Sequence, residues 1–199
     1  AKNTGWNIFK IGHGEKNYKI VQDPLTKSGN VLQVYYPKDS FKPSGKIQGG
    51  IGFYCSPKDV FPCKKVTFSY ELYFADNFDP VKGGKLPGLF LGEPGASGGN
   101  HDSEKASCRL MWRKNLDAEA YVYMPCKQDK EYESIPNSVY NPEFGDSLWR
   151  GLFKFERGKW NKVSITLTVN EQNRSNGSLT LVINEVSQTF NKFTWSISD

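Results

Sequence analysis

The sequence has few residues of the kinds that bind metals, and it has no long apolar run. It contains only two histidines, and no two of its four cysteines have the two-residue gap that is typical of zinc sites. No spacing of Asp and Asn fits a calcium-binding loop. No apolar stretch approaches the roughly 20 residues that a membrane-spanning helix needs. We therefore expect no metal site and no membrane association.

Clustered charge is also lacking. The chain has 26 Lys and Arg against 21 Asp and Glu, which gives a net charge of +5, and no run of five like charges occurs. A nucleic-acid-binding domain usually concentrates its basic residues in one stripe. The scattered basic residues therefore argue against nucleic acid as a partner, and their excess favours an anionic partner without identifying it.

Helical periodicity is absent, and apolar and polar residues alternate with a period of two in many segments. With 14% aromatic and 37% hydrophobic residues, the 199-residue chain is able to build a core. Short strands separated by turn residues predict an all-β sandwich or jelly roll, in one monomeric domain over residues 1–199. The predicted strands are Val31–Tyr36, Ile47–Tyr54, Val66–Phe74, Gly88–Leu91, Ser107–Arg113, Ala120–Pro125, Leu152–Glu156, Lys162–Asn170, Leu179–Asn184 and Gln188–Trp195.

Two polar segments, Glu93–Glu104 and Lys127–Asp146, are predicted to be long loops. The first contains three glycines, and the second contains Pro136 and Pro142. Long loops in a dense sandwich are where lids and site walls tend to lie.

The four cysteines are best explained as two disulfides, which would suit an oxidising or extracellular setting. Cys55 and Cys63 bracket a proline-containing loop and are natural partners, and Cys108 is taken to pair with Cys126. The alternative is four buried free thiols, since free cysteine is commonly buried.

A Cys108–Cys126 bridge between antiparallel strands would set the register of the central hairpin. Met111 would then face Tyr123, and Arg109 would lie diagonal to Tyr123 within reach of long side chains. One face of the hairpin is apolar and predicted to be core. The other is either a floor for an anionic ligand or a solvated outer face. The apolar face carries Cys108, Leu110, Trp112, Val122, Met124 and Cys126, and the other carries Ser107, Arg109, Met111, Arg113, Tyr121 and Tyr123.

The segment Lys82–Gly92 places two glycines directly before Lys85. Glycine lets the backbone approach a ligand closely, and Pro87 fixes the chain direction that follows. The spacing does not match a phosphate-binding loop, and no helix follows. The alternative is a tight turn into a buried strand, with Lys85 in solvent.

These motifs together resemble polysaccharide lyase family 14, over essentially the whole chain. The residues that carry the resemblance are Lys82–Gly92, Ala106–Arg113 and Ala120–Pro125. The resemblance implies a β-jelly-roll of two antiparallel sheets with a concave cleft, which cleaves uronate polymers of glucuronan or alginate type without a metal or another cofactor. It also implies an extracellular or virion-associated protein that degrades algal cell wall. The residues expected to line the catalytic part of the cleft are Lys85, Ser107, Arg109, Tyr121 and Tyr123.

Elimination across C4–C5 of a uronate explains these residue types. Arg109 can grip the carboxylate through its planar fork, and Ser107 can add a hydrogen bond to the same group. We expect Lys85 to be the base or a carboxylate clamp and the tyrosine pair to supply the acid, although a tyrosine base remains open. The residues expected to contact substrate nearby are Arg113, Met111 and His101, and the alternative for His101 is a plain surface residue.

Two other functions fit parts of the sequence. A lectin-like module would use Tyr121, Tyr123, Trp112 and Trp149 as sugar-stacking platforms and would need no group poised for proton transfer. A retaining glycosidase would need two carboxyls about 5 Å apart, for which the candidates are Glu71 and Glu119.

Overall fold

The computed structural model describes residues 6–92, 105–125 and 127–197. These residues form antiparallel strands with two short 3₁₀ turns, Lys114–Leu116 and Tyr132–Ser134. Every predicted strand overlaps an observed one, whereas the first two observed strands were not predicted. The strands are β1 (Ile8–His13), β2 (Tyr18–Gln22), β3 (Asn30–Val34), β4 (Gly52–Cys55), β5 (Lys65–Tyr73), β6 (Gly83–Leu91), β7 (Ala106–Arg113), β8 (Asp117–Tyr123), β9 (Asp146–Lys154), β10 (Trp160–Thr168), β11 (Gly177–Ile183) and β12 (Val186–Phe193).

The chain divides into two compact units, Ala1–Cys63 and Lys64–Asp199. The first unit contains two antiparallel pairs, β1 with β4 and β2 with β3. Its loops are tied together by Asn17, whose amide nitrogen donates to the carbonyls of Gln48 at 2.8 Å and Gly50 at 3.1 Å. A single domain over residues 1–199 stays a prediction.

The second unit is a sandwich of two four-stranded antiparallel sheets. Their strand orders are β12-β11-β10-β5 and β6-β7-β8-β9. Alternate residues of each sheet enter a shared apolar core, which includes Leu110 and Val122 from one sheet and Ile165 and Leu181 from the other. This confirms the predicted all-β class, a jelly-roll sandwich of antiparallel sheets. Within the described residues, no helix has the length and apolar character to cross a membrane.

Strand β6 carries a bulge that determines which of its side chains face away from the core. Lys85 lies opposite Met111, but Gly88 lies opposite Arg109, so β6 has one extra residue between these pairs. The bulge contains Pro87, which has no backbone N–H to donate to a ladder. A Cβ on Gly88 would lie 2.1 Å from the carbonyl oxygen of Cys108, so only glycine fits this close approach.

The β7–β8 register differs from the predicted one by four positions. Tyr123 lies opposite Ser107, not opposite Met111, and Arg109 lies opposite Tyr121. The prediction was wrong because it rested on a bridge from Cys108, which is a fully buried free thiol opposite Val122. The displacement is an even number of residues, so every side chain keeps its predicted face.

The predicted Cys55–Cys63 disulfide is not formed, and both residues are free thiols. Cys55 is half-buried at the end of β4, whereas Cys63 is exposed. Bracketing a loop in sequence does not bring two Cβ atoms to the distance of about 3.8 Å that a disulfide requires. Cys126, the predicted partner of Cys108, lies outside the described residues.

The two predicted loops have different outcomes. Glu93–Glu104, with His101, lies outside the described residues. Within Lys127–Asp146, Tyr132 and Ile135 are buried in the core, so this segment is partly scaffold and not only a wall. The hydroxyl of Tyr132 donates to Oδ2 of Asp146 at 2.7 Å, which ties the segment to the start of β9.

Candidate active site

The face of the β6–β9 sheet that points away from the core gathers cationic and phenolic side chains in rows across the strands. One row contains Lys85, Met111 and Glu119 on β6, β7 and β8. The next contains Gly88, Arg109, Tyr121 and Ser147, and the third contains Phe90, Ser107 and Tyr123. The structure therefore brings all five predicted catalytic residues onto one face.

The cations lie against the two tyrosine rings. The ammonium nitrogen of Lys85 is 5.5 Å from the ring centroid of Tyr121 and 5.9 Å from that of Tyr123. The guanidinium carbon of Arg109 is 5.7 Å from the Tyr123 ring, and that of Arg113 is 5.9 Å from the Tyr121 ring. These distances fall within the range of cation–π attraction. The two tyrosine rings are perpendicular, with centroids 5.3 Å apart.

The electrostatic environment lowers the pKa of Lys85. Burial of the ammonium group is the largest cause, and the positive charges of Arg109 and Arg113 act in the same direction. Interaction with Tyr123 opposes this shift without cancelling it. A lysine with a lowered pKa is more often neutral near physiological pH, and the neutral amine is the form that can accept a proton.

Burial acts on Tyr121 in the opposite direction and raises its pKa to about 12. A hydrogen bond with Tyr123 adds to the rise, and a hydrogen bond from the Gly145 backbone opposes it. The Gly145 N–H donates to the Tyr121 hydroxyl oxygen at 3.2 Å. Tyr121 therefore stays protonated at neutral pH and is suited to donate a proton.

Glu119 also lies on this face. From the sequence it was considered only as a candidate carboxyl of a retaining glycosidase. Its carboxylate is fully buried, and it accepts hydrogen bonds from Arg113, Arg150 and Ser147. Glu119 has the same parity along β8 as Tyr121 and Tyr123, so the alternation did contain the signal. Arg150 and Ser147 carried no such signal, because their strand, β9, was predicted to start only at Leu152.

The remaining candidates are the predicted substrate contacts and the tryptophans of the lectin-like alternative. Met111 and Arg113 lie half-buried on the same face as Arg109. Trp112 and Trp149 are buried in the core and are not available to stack on a sugar. Among the residues that the structure describes, no three His, Cys, Asp or Glu side chains lie together as a metal-binding group.

The carboxyl pair of the glycosidase alternative is not brought together. Glu71 pairs with Lys162 on the solvent-facing side of the β5–β10 pair. Glu119 lies on the outward face of the other sheet, so the core separates the two carboxyls. This arrangement contradicts a retaining glycosidase that uses Glu71 and Glu119.

Comparison with known proteins agrees with the site. An alginate lyase of family PL-14 from Aplysia kurodai superposes with a TM-score of 0.83 at 30% identity, covering 96% of this chain and 76% of that chain. An alginate lyase from a Chlorella virus gives a TM-score of 0.80 at 25% identity, covering 98% and 78%. Exolysin of Paramecium bursaria Chlorella virus 1 is 26% identical over 147 residues, which is 65% of this chain but only 23% of that protein.

The family model of polysaccharide lyase 14 matches residues 25–198 and thus includes parts of both compact units. The match confirms the family predicted from the three motifs, and with it the predicted class of enzyme. The chain belongs to the polysaccharide lyase 14 family.

Proposed function

We propose that this chain cleaves 4-linked uronate polymers of glucuronan or alginate type by β-elimination. The observation that carries the proposal is the juxtaposition of Lys85, Arg109 and Tyr121 on one face, with burial holding both the amine and the phenol toward their neutral forms. The family match and the similarity to two alginate lyases support it.

The elimination assigns one task to each of three side chains. The Arg109 guanidinium binds the uronate carboxylate and stabilises the negative charge that develops as the C5 proton leaves. The neutral Lys85 amine takes that proton, and the electrons of the C5–H bond form the C4–C5 double bond. The C4–O4 bond breaks, and O4 takes the hydroxyl proton of Tyr121. Ser107, which is fully buried opposite Tyr123, is proposed to support the carboxylate position.

Ultraviolet absorbance of the unsaturated uronate tests this function directly. The purified chain is incubated with glucuronan and, separately, with alginate, and the absorbance is followed with time. We expect a rise with at least one polymer. In an Arg109→Ala variant kcat/KM should fall by about 10²–10³-fold, the scale of losing one preorganised donor. Arg174→Ala is the matched control, because Arg174 lies in an exposed pair with Glu171 on the turn between β10 and β11.

Two results would contradict the proposal. A flat trace on both polymers, with the polymers retained on immobilised protein, would indicate a binding module. A flat trace with new reducing ends would indicate a hydrolase. The structure already argues against a binding module. Trp112 and Trp149 are buried, so only Tyr121 and Tyr123 remain of the four aromatic residues that the sequence suggested as sugar-stacking platforms.

An extracellular or virion-associated setting, with algal cell wall as the target, belongs to the same proposal. The free thiols of Cys55 and Cys63 remove the predicted disulfide as a reason for it. The similarity to proteins of Chlorella viruses is what supports it.

A further inference from the structure

A second cationic group lies on the same sheet face as Arg109. Arg113 Nε donates to Oε1 of Glu119 at 2.7 Å, and its Nη2 also contacts this oxygen. Arg150 Nε donates to the other carboxylate oxygen, Oε2, at 2.6 Å. The Ser147 hydroxyl donates to Oε1 at 3.0 Å and accepts a hydrogen bond from Arg150 Nη2 at 3.0 Å. We name these four residues the Glu119 cluster.

The two arginines of the Glu119 cluster keep unused donors. Their hydrogen bonds use Nε and Nη2, and the Nη1 groups of both side chains have no acceptor among the residues that the structure describes. Both side chains are partly exposed, 27% for Arg113 and 41% for Arg150. Glu119 is fully buried beneath them. Two arginines on one carboxylate leave the cluster with one net positive charge.

The residue types fit a carboxylate ligand. An arginine fork binds a carboxylate through paired N–H groups, and holding the fork in advance reduces the entropy lost on binding. Glu119 and Ser147 hold both forks at their Nε edges. One arginine would be enough to neutralise Glu119, so the second gives the cluster the charge that an anionic ligand requires.

The Glu119 cluster lies beside the catalytic residues, at the next position along the cleft from Arg109: the guanidinium carbon of Arg113 is 5.9 Å from the Tyr121 ring. Arg113 lies four residues after Arg109 on β7, on the same face, which separates their Cα atoms by about 13 Å at 3.3 Å per residue. In a polyuronate every sugar carries a carboxylate, so a chain gripped at Arg109 presents further carboxylates along this strand.

We propose that Arg113 and Arg150 form a second carboxylate-binding subsite, which holds another uronate of the same polymer while Arg109 holds the reacting one. Glu119 and Ser147 are positioning residues of this subsite. The inference rests on the proposed lyase function and narrows the substrate to stretches of consecutive uronates, because an uncharged sugar at this position would leave the forks without a partner.

Affinity for the polymer, separated from catalysis, tests the subsite. We would measure the Kd of glucuronan and alginate for the Lys85→Ala variant and for the Lys85→Ala/Arg150→Gln double variant. The double variant should bind at least one polymer about tenfold more weakly, the scale of losing a hydrogen bond between charged groups. Arg150→Lys should restore part of the affinity, since it keeps the charge and loses the fork. In the otherwise native chain, Arg150→Gln should raise KM with little change in kcat.

The controls separate the subsite from general charge and from folding. Arg174→Gln removes an arginine from an exposed Arg–Glu pair outside the Glu119 cluster and should leave affinity within twofold. A polymer whose carboxyls have been reduced to alcohols should not distinguish Arg150→Gln from the native chain. Arg113→Gln removes the other half of the subsite and should repeat the loss. Thermal unfolding of each variant reports whether it is folded.

Affinity within twofold of the parent in folded Arg150→Gln and Arg113→Gln variants would overturn the subsite. A loss of kcat at unchanged KM in Arg150→Gln would overturn it as well, because that pattern indicates a group acting on the reacting sugar. This criterion is not applied to Arg113→Gln, because the charge of Arg113 also lowers the pKa of Lys85. If the native chain cleaves neither polymer, the proposed function fails, whereas the binding comparison in the Lys85→Ala background still decides the subsite.

Discussion

At the residue scale, one physical cause prepares both partners of the proton transfers. Burial disfavours the charged form of any ionisable group, so it raises the pKa of a phenol and lowers that of an amine. Tyr121 and Lys85 share one sheet face and are shifted in these opposite directions. Each shift favours the neutral form of its group, which is the protonated phenol for Tyr121 and the unprotonated amine for Lys85, and these are the forms that β-elimination needs.

The dependence of activity on pH should follow from these two shifts. The charged form of Lys85 is inactive as a base, so kcat/KM should rise with pH through the Lys85 pKa, which lies below the usual lysine value of about 10.4. Tyr121 loses its proton only near its pKa of about 12, so it should cause no decline at lower pH. Initial rates measured from pH 5 to beyond pH 10, on the absorbance of the unsaturated product, give the profile. Activity that declines well before the Tyr121 pKa is reached, in a decline that is absent from the residual activity of Tyr121→Phe, would contradict the assignment of Tyr121 as a group that stays protonated over this range.

A substitution distinguishes the two roles that the sequence left open for Lys85. Lys85→Arg keeps the positive charge but cannot act as a base near neutral pH, because arginine does not deprotonate there. If Lys85 is the base, Lys85→Arg should lower kcat by about 10²–10⁴-fold, as Lys85→Ala should. Single-turnover rates and polymer affinity measured together give the answer. Near-native turnover in Lys85→Arg would instead make Lys85 a carboxylate clamp.

At the element scale, the sequence predicted faces better than it predicted pairings. Alternation placed Arg109, Tyr121 and Tyr123 on one face, and this survived a register error of four residues because an even displacement does not exchange faces. The bulge at Pro87 in β6 and the extra residues around Trp149 in β9 were not predicted. Bulges break the period of two, and they depend on close backbone contacts that alternation does not encode.

The Glu119 cluster also shows that alternation predicts the face of a residue but not its partners on other strands. The parity of Glu119 was readable from the sequence, but its partners Arg150 and Ser147 come from β9. Arg150 reaches the carboxylate from within the irregular part of that strand. A site assembled from three strands requires the pairing of all three. The sequence predicted that β7 pairs with β8, in a register displaced by four positions, and it predicted no partner for β9.

Gly145, directly before β9, packs closely against the Tyr121 and Tyr123 rings, and a substitution there tests whether this contact positions them. A Cβ at this position would lie 2.7 Å from the carbonyl oxygen of Val122 and 3.0 Å from the rings of both Tyr121 and Tyr123. We expect Gly145→Ala to move both rings, to lower the free energy of unfolding by about 1–3 kcal/mol as overpacking does, and to reduce kcat even where the protein is folded. Gly12→Ala in β1 is the control, since its nearest contact is an ordinary 3.4 Å. Denaturant unfolding and kcat measured on both variants decide it, and native values for Gly145→Ala would show that the rings do not depend on this contact.

At the scale of the whole molecule, burial is distributed very unevenly between the two compact units. Every buried hydrophobic side chain of the described residues lies at or after Phe74, in the unit Lys64–Asp199. In the other unit, Ile20, Tyr35 and Phe41 are more than half exposed, and both sheets are two-stranded. The alternation of β10 and β11 made their burial predictable, whereas β1 and β2 were missed because most of their apolar side chains are not buried.

This distribution predicts an order of local opening that hydrogen exchange can measure. Opening free energy falls where few apolar side chains are buried, and an isolated two-stranded pair is marginally stable. Amides of β2 and β3 should therefore exchange well before those of β10 and β11, whose alternate residues Ile165, Leu179 and Leu181 are fully buried. Exchange followed by mass spectrometry on peptic peptides at neutral pH gives the comparison, after correction for the intrinsic rate of each peptide. Equal protection of the two pairs would show that the stability of the first unit is not set by its own burial. The same measurement can locate the bound polymer. Adding glucuronan or alginate to the Lys85→Ala variant should slow exchange in β6 to β9 and leave exchange in β10 and β11 unchanged, because the proposed carboxylate sites all lie on the β6–β9 sheet.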